Sequence, residues 1–172
     1  MKRRWFIFGT AGLFTADQLL KTYVEQNLDK KEERKIAGPF VLRRIGNEGM
    51  CLGLLSEKPE IVRILALSAA GAVTLFQGAA LMRRKGFWKR KGLCLLSAGA
   101  WSNTFDRFAR GYVVDYIGLS LKDSKLAKLT FNLGDIFLAA GALVLSVQSI
   151  FSSSREKKRV SEDGDPEKGK LP

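Results

Sequence analysis

Between Gly99 and Ile117 an apolar run is interrupted by Asn103, Asp106, Arg107 and Arg110, and the "VVDYI" stretch after it carries Asp115. Asn132 and Asp135 open another apolar run, and Asp17 and Lys21 stand four residues apart near the start. The chain has no histidine, which excludes histidine-based catalysis and histidine metal ligation. Walker, dinucleotide and GxSxG patterns do not occur. What remains is carboxylates, amides and a few cations. Two aspartates held close cannot both ionise easily, so one keeps a proton while the other is charged. The charged member can take a proton from water and the protonated one can polarise a carbonyl, as in aspartic peptide hydrolysis. Asp106, Asp115 and Asp135 are the candidates, and the residues by themselves do not choose the pair.

Structural roles compete with that chemistry. Asp17–Lys21 and Asp106–Arg110 have the spacing of helical ion pairs. Asn132, three residues before Asp135, is how a helix start is capped. Asp115 has no comparable excuse, since an acid inside an apolar strand-like run points to function.

The elements that must position these groups are apolar. Segments 5–24, 60–82, 92–110 and 130–151 each approach the ~20 residues a membrane-spanning helix needs. The second and fourth are clean and rich in Ala, Gly and Ser, which let membrane helices approach closely. "MKRR" before an apolar run imitates a cleavable leader, but Asp17 and Lys21 make poor neighbours for a cleavage site. The net charge of +12 is concentrated in "MKRR", "RRKGFWKRK" and "SREKKR". Placing all three on the cytoplasmic side follows the usual bias of Lys and Arg. Both termini are then cytoplasmic, and segments 25–59 and 111–129 lie outside. No nucleic-acid partner is expected, because no stacking aromatics interleave with the basic runs.

The expected organisation is a membrane domain over 1–151 and a disordered cytoplasmic tail over 152–172. In segment 25–59 a turn at Gly38–Pro39 and short strands around Arg43–Arg44 are expected. Cys51 and Cys94 fit neither a zinc site nor a disulfide and are expected to be small buried residues. With this topology Asp17, Lys21, Asn103, Asp106, Arg107, Asn132 and Asp135 all arrive at the outer membrane face. Intramembrane ionisable groups cost ~2.5–3.5 kcal/mol each on insertion scales and face a bundle interior or cavity. A shared polar pocket follows.

The set "DQLLK" at 17–21, "NEG" at 47–49, "NTFDRFARGYVVDYI" at 103–117 and "FNLGD" at 131–135 resembles the lipoprotein signal peptidases, or signal peptidase II. The resemblance implies an all-α membrane fold of four transmembrane helices, with a small extracytoplasmic β-platform and a covering loop. It implies that Asp115 and Asp135 are the catalytic dyad. Asn103, Asp106 and Arg107 would support the pocket, Asn132 would orient the dyad, and Asp17, Lys21, Asn47 and Gly49 would shape the substrate site. The implied substrate is a diacylglyceryl-modified prolipoprotein, cut just before its lipidated cysteine in the bacterial inner membrane. Prolipoproteins and membrane lipids would be the partners of a monomeric enzyme without metal or cofactor, and globomycin-type cyclic peptides its inhibitors. The family's "NxGAAF" reads "NEGMCLG" here, Ser102 replaces a glycine and Gly134 an alanine. The alternatives are a non-catalytic paralogue that holds lipidated partners and a small ion-conducting protein.

Overall fold

The computed structural model describes residues 3–30, 32–49, 55, 57–120 and 129–163, with side chains of the last helix described to Ser154. Four helices dominate: α1 (Arg4–Asn27), α2 (Pro59–Met82), α3 (Phe87–Ala109) and α4 (Leu133–Asp163). Four strands accompany them: β1 (Glu33–Ala37), β2 (Phe40–Asn47), β3 (Val113–Leu119) and β4 (Thr130–Phe131). They form one antiparallel sheet in the order β1-β2-β3-β4.

Local chemistry sets the boundaries. Pro59 opens α2 with Glu60 in its first turn, where a missing N–H costs nothing and negative charge suits the helix dipole. Gly38 turns the β1–β2 hairpin at φ +52°, and Gly111 lets the chain leave α3 at φ +87°. The expected turn at Gly38–Pro39 and the strands around Arg43–Arg44 are both present. Several helix boundaries differ from expectation, among them the end of α1, at Asn27 rather than 24. α3 begins at Phe87 rather than 92, because "FWKRK" follows Gly86 and has no helix breaker of its own. α4 begins at Leu133 rather than 130, because Thr130 and Phe131 pair with Gly118 and Ile117. It then runs to Asp163, past the expected domain boundary at 151. Residues 121–128, where the covering loop is expected, and residues 50–52 lie outside the described residues.

α3 is the central helix and touches the other three, whereas α1 and α4 barely meet. Its glycines set the approach to α4. A Cβ on Gly92 would meet Leu145 Cγ at 2.8 Å, and one on Gly99 would overlap the Gly134 carbonyl oxygen. Gly99→Ala is therefore expected to separate α3 from α4 and to cost about 1–3 kcal/mol in denaturant unfolding of the detergent-solubilised protein. It should also lower activity, since Asn103 lies one turn beyond Gly99. Cys94 is buried as expected, and its Sγ accepts from Thr10 at 3.3 Å.

α2 and residues 133–154 of α4 are long and apolar enough to cross a membrane, each with mean hydropathy 1.8. Their apolar side chains point outward: Leu75 is 77% exposed and Phe151 66%. Such a surface is an aggregation hazard in water and a natural one against lipid. α1 and α3 do not meet the same test, as the charges they carry at 17, 21, 106 and 107 foreshadow. A core of Val24, Leu28, Val114 and Tyr116 fastens the sheet to the end of α1.

Candidate active site

Asp115 is on β3, paired in register with Ile45 of β2. Strand alternation sends its side chain one way and that of Tyr116 the other. Asn47 ends β2 two residues from Ile45 and donates its Nδ2 to Asp115 Oδ2 at 3.1 Å. Asn132 Nδ2 donates to Asp115 Oδ1 at 2.7 Å.

Asn132 also caps α4 reciprocally with Asp135. Its backbone N–H donates to Asp135 Oδ2 at 3.1 Å, while the Asp135 N–H donates to Asn132 Oδ1 at 2.9 Å. The expected capping role is real, and it does not exclude chemistry. The same asparagine that caps the helix holds Asp115 with its remaining donor. The second carboxylate oxygen of Asp135 accepts from Asn103 Nδ2 at 2.8 Å. One residue thus links both acids.

Behind Asn103 stands a buried charge network. Lys21 Nζ donates to Asn103 Oδ1 at 2.9 Å and pairs with Asp17 Oδ2 and Asp106 Oδ2, each at 2.9 Å. Asp17, Lys21 and Asp106 are fully buried. Arg110 joins Asp106 Oδ1 and Glu25 Oε2, each at 2.6 Å, so two cations serve three acids. Because an ammonium can only donate, Lys21 fixes which end of the Asn103 amide faces it, and the NH2 end must face Asp135. Gly134 makes room for this convergence. A Cβ there would stand 2.9–3.1 Å from Asn132 Oδ1, Asp17 Oδ2 and Asn103 Oδ1, so glycine is the snug fit at this position.

The two acids lie on a cavity of about 460 Å³ between α2, α3, α4 and the sheet. Asn47, Asn103, Arg107, Asp115 and Asp135 supply its polar side, and Val62, Ala66, Ala69, Ala100 and Leu138 are part of its apolar wall. Asp17, Lys21, Asp106, Gly49 and Asn132 stand outside that lining. Arg107 donates to the Asn103 carbonyl at 2.9 Å and to the Gly49 carbonyl at 3.1 Å, while its buried Nε has no acceptor among the described residues. Gly49 N–H in turn donates to Asn47 Oδ1 at 3.1 Å. The shared helix face expected for Asn103, Asp106 and Arg107 is split: Asp106 turns toward α1 and the N–H of Val114, the other two toward the cavity. Among the described residues, no group of three or more Asp, Glu, Cys or His side chains is placed to hold a metal ion.

Burial first, and then the charge of Asp135, push the Asp115 carboxyl up to about 6, against the hydrogen bonds from Asn47 and Asn132. Burial and Asp17 push the Tyr116 phenol up, so it stays a donor. It donates to Asp17 Oδ1 at 2.9 Å and accepts the Leu133 N–H at 3.1 Å, tying the start of α4 to α1. Gln18, Ser102 and Tyr116 are the working residues that motif reasoning passed over. Gln18 donates to Asp106 Oδ1 at 2.9 Å and Ser102 to Asp17 Oδ2 at 2.6 Å. The alternation of β3 was the available signal for Tyr116.

A bundle with a small sheet, outward apolar helices and two acids on one cavity, one buried and one half-buried, defines a membrane-embedded enzyme. The fold is that of two solved bacterial membrane enzymes determined by the in meso method. One, at 2.3 Å resolution, is matched with TM-score 0.76 and 21% identity over 87% of this chain and 90% of that one. The other, at 1.9 Å, is matched with TM-score 0.70 and 21% identity over 83% and 90%. The family model described as Signal peptidase (SPase) II matches residues 10–151. A lipoprotein signal peptidase of Fusobacterium nucleatum subsp. nucleatum is 31% identical over 90% of this chain and 90% of its own length. One of Trichormus variabilis is 34% identical over 88% and 93%. The chain belongs to the signal peptidase II family, aspartic peptidases that remove signal peptides from prolipoproteins.

Proposed function

We propose that Asp115 and Asp135 are the catalytic dyad, and that the bond cut is the one just before the diacylglyceryl-modified cysteine of a prolipoprotein. The carrying observation is Asn132, which hydrogen-bonds Asp115 through its side chain and Asp135 through its backbone, the two acids lining one cavity. The ionised carboxylate takes a proton from water as the water oxygen bonds to the scissile carbonyl carbon. The protonated carboxyl gives its proton to the carbonyl oxygen. Collapse of the resulting diol breaks the C–N bond, and the nitrogen leaves with a proton returned by the dyad.

The rest of the site suits such a substrate. The apolar wall of α2, α3 and α4 suits acyl chains. The spacing of polar and apolar residues favours four membrane crossings, with both termini cytoplasmic and the dyad at the extracytoplasmic face. A monomer suffices, since all the named groups come from one chain. Confinement of enzyme and substrate to the membrane raises their local concentration, so peptide contacts need not be tight.

The test is cleavage of a diacylglyceryl-modified precursor by the purified chain across a pH series. Because Asp115 is pushed up to about 6, the proton shared by the pair is lost as pH rises through that region. Turnover should fall on an alkaline limb centred near pH 6, approaching tenfold per unit beyond it. The unlipidated precursor should be cut far more slowly. A rate flat through this region would overturn the dyad, and binding of the lipidated precursor without cleavage would favour the non-catalytic alternative.

A further inference from the structure

A further groove lies at the end of the bundle opposite the proposed dyad. It has a volume of about 700 Å³ and runs between the first turn of α3 and residues 143–152 of α4. Phe87, Trp88, Leu143, Val147 and Phe151 make its wall apolar, and Lys89, Gln148 and Ser152 make its rim polar. Gln148 Nε2 donates to Ser152 Oγ at 2.7 Å, so the rim is ordered. Beside it, Lys91 Nζ lies over the rings of Phe87 and Trp88, 4.7 and 5.0 Å from their centroids.

Among the residues whose side chains are described, the charge at this end has one sign. Exposed Arg3, Arg4, Arg83, Arg84 and Lys85 surround the same helix ends, and Arg3 reaches the Met82 carbonyl at 3.3 Å. Buried Arg90 is committed to the carbonyls of Ala80, Arg83 and Lys85. Residues 3–16, 78–105 and 136–154 contain no Asp or Glu. A soluble anion would satisfy the cations and leave the aromatic wall bare. A neutral lipid would cover the wall and leave Lys89 with nothing to neutralise it.

We propose that this groove binds an anionic phospholipid. One acyl chain lies along Leu143 and Val147 to Phe151, a stretch of about 12 Å at the helical rise. The phosphate sits at the rim, within reach of Lys89, Gln148 and Ser152. Basic pockets between helices at a membrane surface favour anionic headgroups in this way. The site is independent of peptide cleavage, being separated from Asn103 by the 16 residues of α3 that follow Phe87, about 24 Å.

The experiment is native mass spectrometry of the full chain released from bilayers of equal phosphatidylglycerol and phosphatidylcholine. Wild type should retain phosphatidylglycerol over phosphatidylcholine by at least about fivefold. Lys89→Glu should bring the ratio close to one. Leu143→Trp keeps the charge and fills the wall at an exposed position, so it should reduce the lipid retained without requiring refolding of the core. Lys35→Glu, on the exposed edge strand β1, should leave the ratio unchanged. Equal retention of both lipids by wild type, unchanged retention in both groove variants, or an equal loss in Lys35→Glu would each overturn the site.

Discussion

Asparagine in place of Asp135 is expected to lower turnover of a lipidated precursor by at least about 10³-fold, and asparagine in place of Asp115 by a similar factor. The geometry makes the exchange disruptive as well as proton-poor. Asp135 accepts from the Asn132 N–H and from Asn103 Nδ2, and Asp115 accepts from Asn47 Nδ2 and Asn132 Nδ2. An amide has one acceptor oxygen, so at either position its NH2 meets a donor. The two losses should not add, because the acids of the proposed dyad would share one proton and act as a unit. The double variant is therefore expected to be no slower than the slower single variant. Retained binding of the lipidated precursor would show that the variants still fold. Single variants within about tenfold of wild type would remove both residues from the chemistry.

The largest effect on stability is expected from Lys21→Met. Lys21 is fully buried against Asp17 and Asp106, each 2.9 Å away. Methionine fills the space, leaves buried Asp17 without its cation and leaves Asp106 with Arg110 alone, which Glu25 shares. Removing one partner of a buried ion pair costs about 3–5 kcal/mol, because the residual charge has no water to return to. Denaturant unfolding in detergent measures this. Lys21→Met/Asp17→Asn returns the network to its wild-type net charge and should recover part of the loss, since Tyr116 and Ser102 can still hydrogen-bond the new amide. Activity should fall even where the protein folds. Without Lys21 the Asn103 amide is free to turn its oxygen toward Asp135, against which it would repel rather than donate. An unfolding free energy within about 1 kcal/mol of wild type would mean that the network carries little of the fold.

Much of this site was legible because the cost of a buried charge is written in the sequence itself. Asp115 within "VVDYI" and Asp17 within "FTADQLLK" had to find partners, and the spacing of Asp17 to Lys21 and of Asp106 to Arg110 named two of them correctly. The turn at Gly38–Pro39 was readable from local conformational preference. Harder to see was Asp106, which shares helical spacing with Asn103 and Arg107 and yet faces α1. An apolar pattern defines a helix face only within tens of degrees, and a residue at its margin goes wherever the stronger partner sits. Tyr116 was overlooked because a tyrosine in a strand reads as packing until its hydroxyl is seen to hold Asp17 and the Leu133 N–H.

The sequence by itself determined which residues must leave lipid, the order in which the chain delivers them, and their family. Each of those follows from short-range spacing and the free energy of transferring one side chain. Only the tertiary structure decided that Asn132 joins Asp115 to Asp135, that Lys21 orients Asn103 from behind, and that Gly134 leaves room for three oxygens to converge. The Asn132–Asp115 and Lys21–Asn103 contacts link residues 17 and 82 positions apart, and their lengths depend on how closely the helices pack. Helix packing distances are set by the facing pairs, Gly99 with Gly134 and Gly92 with Leu145, and no single stretch of sequence contains both halves of a pair.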